Sequence, residues 1–152
     1  MSQYGEKAFA LFHEGYNCSQ AVTAAFAREM GVSEEQALKL SVGFGGGMSR
    51  MREVCGAFSG MVLVLSSLYG SADPARKTEI YSEIQALATR YKQENGGNSI
   101  ICRELLGLDK PEGDPHASPR TDAYYKKRPC AELCRIAADE LAEYIAAHPQ
   151  EG

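Results

Sequence analysis

Five cysteines are the residues of this 152-residue chain whose chemistry could define a functional site. No pair of them has the C-x-x-C spacing that is typical of zinc knuckles and thioredoxin-type enzymes. In a reducing compartment, a set of cysteines is more often metal-binding or catalytic than joined in structural disulfides. Taken singly, each could also be a small apolar core residue. The cysteines stand at Cys18, Cys55, Cys102, Cys130 and Cys134.

A glycine-rich segment leads to the second cysteine, in the stretch "FGGGMSRMREVCGAFSG" of residues 44–60. Glycines permit positive φ, and their successive N–H groups can surround an anionic group. Arg50 and Arg52 add positive charge, so we expect a lowered pKa for Cys55 and a thiolate site under a flexible lid. The alternative is a tight crossing between helices, in which glycine only avoids clashes.

The elements that must position these cysteines read as helices almost throughout. No alternating strand pattern occurs, and candidate N-caps precede three of the helices at Asn17, Ser33 and Asp73, with capping-box spacing from Ser33 to Gln36. Apolar residues recur at helical spacing and predict the inner faces of two long helices, at Ile80, Ile84, Leu87 and Tyr91 and at Leu133, Ile136, Ala137, Leu141 and Tyr144. The pattern predicts an all-α, single-domain bundle of about six to seven helices over residues 1–152, with a glycine-rich loop. The predicted helices span 2–14, 18–30, 34–42, 55–69, 74–94, 100–106 and 130–147, and the proline-containing stretch 107–120 is predicted to be a surface loop.

Four of the cysteines fall in or near the first turn of a predicted helix, namely Cys18, Cys55, Cys102 and Cys130. A helix N-terminus presents unpaired N–H groups and a partial positive charge, which favour a thiolate over a thiol. Because loops allow separate helices to bring their ends together, these four thiols could converge at one end of the bundle.

The residues around the cysteines carry a family resemblance. "CGAFSG" at residues 55–60 matches a C-G-A-x-x-G motif, and "EGYNCSQAV", "YKQENGGNSIICRELLG" and "RPCAELCRIAADEL" follow the same family order. Together they resemble the C_GCAxxG_C_C family of redox-active proteins. The resemblance implies redox activity and places the four family cysteines on Cys18, Cys55, Cys102 and Cys130. Cys134 departs from the pattern; we expect it to pack, although it could serve as a resolving thiol four residues from Cys130.

Three functions remain open on these residues. The first is a metal site held by the four family cysteines, with an iron–sulfur cluster (2Fe–2S in preference to 4Fe–4S) as the expected cofactor, and with zinc or no metal as alternatives. Cofactor-binding residues beside it would be Gly45, Gly46, Gly47, Arg50 and Gly56. The second is thiol–disulfide exchange with Cys55 as the nucleophile. The third is a non-catalytic helical binding module whose cysteines belong to the core.

The composition and charge of the chain indicate which classes of partner it could bind. A formal net charge of -4 argues against nucleic acid as a partner. The longest apolar run, residues 61–65, is too short to cross a membrane. The first ten residues lack the apolar region of an export signal, so we expect a cytoplasmic protein. A redox partner protein or a small thiol is the expected partner, and "YYKKR" at residues 124–128 could dock an acidic one. A homo-oligomer is left open.

Overall fold

A computed structural model describes residues 2–108 and 113–150 of the chain. Within these ranges the secondary structure is helical, apart from one isolated bridge, which confirms the predicted all-α class. The helices are more numerous than the six to seven expected. They are α1 Gln3–His13, α2 Cys18–Ala25, α3 Ala27–Met30, α4 Glu34–Ser41, α5 Gly45–Met48, α6 Gly56–Tyr69, α7 Lys77–Glu94, α8 Cys102–Leu105, α9 Asp122–Lys127 and α10 Cys130–Ala147, with 3₁₀ turns at Val42–Phe44 and Pro74–Arg76. The short segment α5 is not a regular right-handed helix, because Gly46, Gly47 and Met48 have positive φ.

Side-chain caps fix several helix starts where the sequence indicated them. Asn17 and Ser33 each form a capping box with the glutamine three residues later, Gln20 and Gln36. Asp73 accepts from the N–H of Ala75 and starts the 3₁₀ turn that leads into α7. The caps at Asn17 and Asp73 and the capping box at Ser33 confirm the prediction, because such contacts are local. The return bond from Gln20 to Asn17 was not predicted.

The core lies where α10 packs against α1, α2, α6 and α7. The largest fully buried side chains include Tyr91, Phe12, Phe26, Met61, Leu65 and Leu141. Of the inner stripe predicted for α10, Leu133, Ala137, Leu141 and Tyr144 are buried, and Ile136 is partly buried. The core therefore holds the first turns of α2, α6 and α10 in fixed positions.

Two helical segments differ from the prediction. The expected helix 18–30 is divided at Phe26, whose φ of -111° and ψ of 15° separate α2 from α3. Residues 122–127, in the region of the "YYKKR" patch, form α9, which we had not predicted. Thr121 caps this helix by accepting from the Tyr124 N–H. The predicted loop is free of helix at 107, 108 and 113–120, and its residues 109–112 lie outside the described ranges.

An antiparallel bridge between Val54 and Ile101 joins two cysteine segments that are far apart along the chain. The Cys55 N–H donates to the Ile100 carbonyl at 2.7 Å, and the Cys102 N–H donates to the Glu53 carbonyl at 2.6 Å. This bridge sets the start of α6 beside the start of α8. The sequence did not predict this bridge, because each segment contributes only one residue and so shows no alternating pattern.

The length and polarity of a helix determine whether it can cross a membrane. Within residues 2–108 and 113–150, every helix is too short or too polar to cross a bilayer.

Candidate functional site

One cavity of about 420 Å³ brings together the four cysteines that begin helices. Cys18, Cys102 and Cys130 are the first residues of α2, α8 and α10, and Cys55 immediately precedes α6. All four line the cavity, and each is less than a tenth exposed. The prediction that four helix-starting thiols gather at one place is therefore confirmed.

Cys134 is arranged differently. It is fully buried in the hydrophobic core, and it is not among the residues that line the cavity. Its sulfur donates to the Cys18 carbonyl oxygen at 3.7 Å, from the second turn of α10. This position agrees with the packing role expected from its departure from the family pattern.

The cavity sulfurs differ in their neighbours. The thiols of Cys18 and Cys130 affect each other's pKa. The Cys55 sulfur lies 3.3 Å from the Tyr91 hydroxyl oxygen, and the Arg52 guanidinium donates to the Cys102 sulfur at 3.8 Å. All of these cysteines are free thiols.

The ionisation of Cys18 and Cys130 is coupled. The Cys130 thiol lowers the pKa of Cys18, but the Cys134 thiol and burial outweigh this effect, so that the pKa of Cys18 is well above its usual range. The Cys18 thiol and burial raise the pKa of Cys130. Burial also raises the pKa of Cys134. Without a bound positive charge, these thiols are neutral at pH 7.

The expected lowering of the Cys55 pKa is wrong. Burial raises this pKa to about 11, against smaller opposing effects from the Tyr91 hydroxyl and from the backbone at Phe58 and Ala57. The helix start thus acts in the expected direction but is too weak to compensate for burial. Arg52, moreover, donates to Cys102, where it opposes the burial that raises the pKa of that thiol.

The glycine segment forms one wall of the cavity. The predicted cofactor-binding residues Gly45, Gly46, Gly47, Arg50 and Gly56 all line it. The backbone has positive φ at every residue from 46 to 50 and again at 52. Hydrogen bonds from the Arg52 N–H to the Gly46 carbonyl (3.2 Å) and from the Glu53 N–H to the Gly47 carbonyl (2.8 Å) hold this conformation.

Close packing explains why glycine stands at several of these positions. A Cβ on Gly47 would lie 2.5 Å from the Cys102 Cβ, and one on Gly56 would lie 3.1 Å from the Gly45 Cα. Real Cβ atoms do not lie 2.5 Å from another carbon, so a side chain at position 47 would require neighbouring atoms to move. The contacts favour the tight crossing over the flexible lid, and they place the loop directly against the Cys102 side chain.

Arg120 and Tyr124 form another wall, which sequence reasoning did not assign to the site. The Arg120 guanidinium donates to the carbonyls of Phe12 and Tyr16 at 2.8 Å each, and it lies 4.3 Å above the Phe12 ring. These contacts join residues more than a hundred positions apart, so no local pattern could have indicated them. They hold the segment before α9 across the ends of α1 and α2.

The four cavity cysteines are residues of the type that binds metals. Four cysteines on one cavity match the ligand type and number of thiolate metal sites. Among the described residues, however, no group of three or more His, Cys, Asp or Glu side chains is placed to hold a metal ion. The agreement of the four cysteines with a thiolate metal site is therefore in the type and number of ligands.

Comparison with known proteins supports the family pattern read from the cysteine segments. No curated protein and no solved structure matches the chain. One family model does match, over residues 16–144, which is most of the sequence and includes all five cysteines. The chain belongs to the family described as "Putative redox-active protein (C_GCAxxG_C_C)".

Proposed function

We propose that this protein is an electron carrier whose cavity cysteines hold an iron–sulfur cluster. The observation that carries the proposal is the contrast among the five thiols. Four of them open onto one cavity, while the fifth, Cys134, is packed in the core. Packing alone gives no reason for four buried cysteines from four segments to share a cavity. Four cysteines are the usual ligand set of such clusters, so the ligands would be Cys18, Cys55, Cys102 and Cys130.

The size of the cavity supports a cluster in preference to one zinc ion. A cluster divides its four ligands among several irons, so the ligand sulfurs lie farther apart than around a single metal. A cavity of about 420 Å³ has room for a group of several atoms. We favour 2Fe–2S over 4Fe–4S.

The surrounding residues supply what an anionic thiolate site needs. Ligation requires that the thiols lose their protons, and the raised pKa values show the cost of doing so without a compensating charge. The Arg52 guanidinium beside Cys102 offsets part of the negative charge. Burial of the sulfurs limits the access of water. A bound cluster would supply one-electron transfer with a redox partner protein or a small thiol.

Anaerobic reconstitution tests the proposal. Purified protein incubated with ferrous iron and sulfide should gain visible absorption in the wild type. Cys102→Ser should lose most of this absorption, whereas Cys134→Ser, the matched control from the same chain, should keep it. Equal absorption in all three proteins, or none in the wild type, would refute the cluster.

A second candidate is dithiol–disulfide exchange between Cys18 and Cys130, which line the same cavity and affect each other's pKa. An oxidised small disulfide would accept two electrons from this pair; the two thiols would lose their protons, and one S–S bond would form as the other breaks. Cys55, which we predicted as the nucleophile, would need activation because its pKa is about 11. Peptide mapping after mild oxidation should show a Cys18–Cys130 disulfide. If neither cluster nor disulfide forms, the non-catalytic binding module remains.

A further inference from the structure

Tyr91 is a completely buried tyrosine whose hydroxyl meets a sulfur of the site. It lies on α7, has no exposed surface, and stacks against Phe58 with ring centroids 6.0 Å apart. Its hydroxyl oxygen is 3.3 Å from the Cys55 sulfur. Tyr91 had been predicted only as part of the apolar face of its helix.

Packing alone does not explain why residue 91 carries a hydroxyl group. A phenylalanine would fill the same space without burying a polar group, which is unfavourable unless the group finds a good partner. A neutral thiol is only a weak hydrogen-bond partner. A sulfur that carries negative charge is a much stronger acceptor, and it can no longer donate, so the tyrosine must then be the donor.

We infer that Tyr91 is a positioning residue that donates its hydroxyl hydrogen to the Cys55 sulfur and thereby stabilises negative charge on that ligand. The inference rests on the proposed function. Cys55 and Cys102 would then receive different donors, a neutral phenol from the core and the Arg52 guanidinium from the loop.

The consequence concerns the reduction potential. Reduction adds negative charge to the site, and hydrogen bonds to cluster sulfurs are among the features that set the potential. A donor at Cys55 stabilises the reduced state more than the oxidised state, so it raises the potential. Removal of the hydroxyl should therefore shift the potential downward.

The test compares Tyr91→Phe with Tyr144→Phe in the reconstituted protein. Tyr144 is a matched control because it is also buried and donates its hydroxyl, but to Glu83 rather than to a cysteine. Iron content is measured first, and the midpoint potential is then measured by equilibrium redox titration. We expect full iron content in both variants and a lower midpoint potential in Tyr91→Phe alone. A ring-fluorinated tyrosine at position 91, which donates more strongly, should shift the potential upward.

The outcomes separate this inference from the proposed function. A cluster-loaded Tyr91→Phe protein with the wild-type potential would overturn the role of Tyr91 and leave the cluster in place. Equal shifts in Tyr91→Phe and Tyr144→Phe would also overturn it, because they would indicate a general loosening of the core. A wild-type protein that binds no iron would refute the proposed function, and the inference with it. If Tyr91→Phe fails to fold, the protein with ring-fluorinated tyrosine at position 91 provides the test. An unchanged midpoint potential in that protein would overturn the inference.

Discussion

The Arg52 guanidinium donates to the Cys102 sulfur across 3.8 Å, from a residue that is only 6% exposed. Arg52 precedes Cys55 closely in the sequence, yet its contact is with a cysteine fifty residues later. The bridge between Val54 and Ile101 explains this choice, because it sets the two segments side by side. The charge of the loop therefore acts on Cys102, where it opposes the effect of burial on the thiol pKa.

Replacement of Arg52 by methionine should make Cys102 less reactive. Loss of the guanidinium removes the group that opposes burial, so the pKa of Cys102 should rise and its thiolate fraction fall. We expect the rate of Cys102 alkylation in the metal-free protein to drop roughly 3- to 10-fold. Mass spectrometry of alkylated peptides gives this rate, with Cys18 in the same protein as the internal reference, since Arg52 is not among the groups that shift its pKa. Arg135→Met is the control, because this arginine pairs with Glu132 and Asp139 instead of a cysteine. An equal drop in both variants would contradict the assignment.

The stability of the metal-free protein should fall at alkaline pH. The pKa of Cys55 is about 11 in the folded protein, whereas an exposed cysteine in the unfolded chain titrates near about 8.5. As pH rises, the unfolded state loses its proton first. The contribution of this thiol is therefore complete below about pH 8 and is lost between about pH 9 and 11, amounting to about 3 kcal/mol.

Urea unfolding at a series of pH values, under reducing conditions, measures this effect. Cys55→Ala removes the titrating thiol and should give a shallower decline of the unfolding free energy above pH 9 than the wild type. Parallel declines in the two proteins would mean that other groups cause the loss.

Alanine at position 47 should disrupt the loop that packs on Cys102. Gly47 has φ +68°, and a Cβ there would lie 2.5 Å from the Cys102 Cβ and 2.7 Å from the Glu53 nitrogen. Strain and clash together should cost about 3 kcal/mol of unfolding free energy. Gly31→Ala is the matched control, since Gly31 has φ +74° but nothing within 4 Å of a Cβ; it should cost about 1 kcal/mol. Equal losses in the two variants would show that strain alone matters.

Arg120→Gln should release the segment before α9 from the cavity. The change removes hydrogen bonds to the Phe12 and Tyr16 carbonyls and the stacking of the guanidinium on Phe12, worth about 2 kcal/mol together. Hydrogen–deuterium exchange should accelerate in residues 113–121 and near the Cys18 amide. Lys126→Gln, on the exposed side of α9, should leave exchange unchanged. Slow exchange in Arg120→Gln would mean that other contacts hold this wall.

Local chemistry made part of this fold predictable. The bounds of α10, Cys130–Ala147, were predicted without error, because an apolar stripe and a preceding proline define it. The capping boxes at Asn17 and Ser33 depend on side chains three residues apart. Helix starts at the four family cysteines followed from the same kind of signal. For this reason the cysteine set of the cavity could be proposed from sequence.

The remaining features depend on contacts between distant segments. Periodic sequence patterns do not predict the bridge between Val54 and Ile101 or the hydrogen bond from Arg120 to the Phe12 carbonyl in α1. The pKa of Cys55 was predicted with the wrong sign, since the sequence shows nearby arginines but not the depth of burial or the direction of their side chains. Tyr91 looked like any apolar member of its helix face, because only the fold brings its hydroxyl to a sulfur.

The central claim is that four sulfurs share one electron-carrying cluster, and a reductive titration followed by electron paramagnetic resonance tests it most directly. In the anaerobically reconstituted wild type we expect one-electron reduction to bleach the visible absorption and to produce a paramagnetic signal that accounts for about one spin per chain. Cys134→Ser should behave alike, and serine at any one of the four cavity cysteines should diminish or alter the signal. A wild-type protein that takes up no electron, or whose signal is indifferent to all four cysteines, would contradict the account.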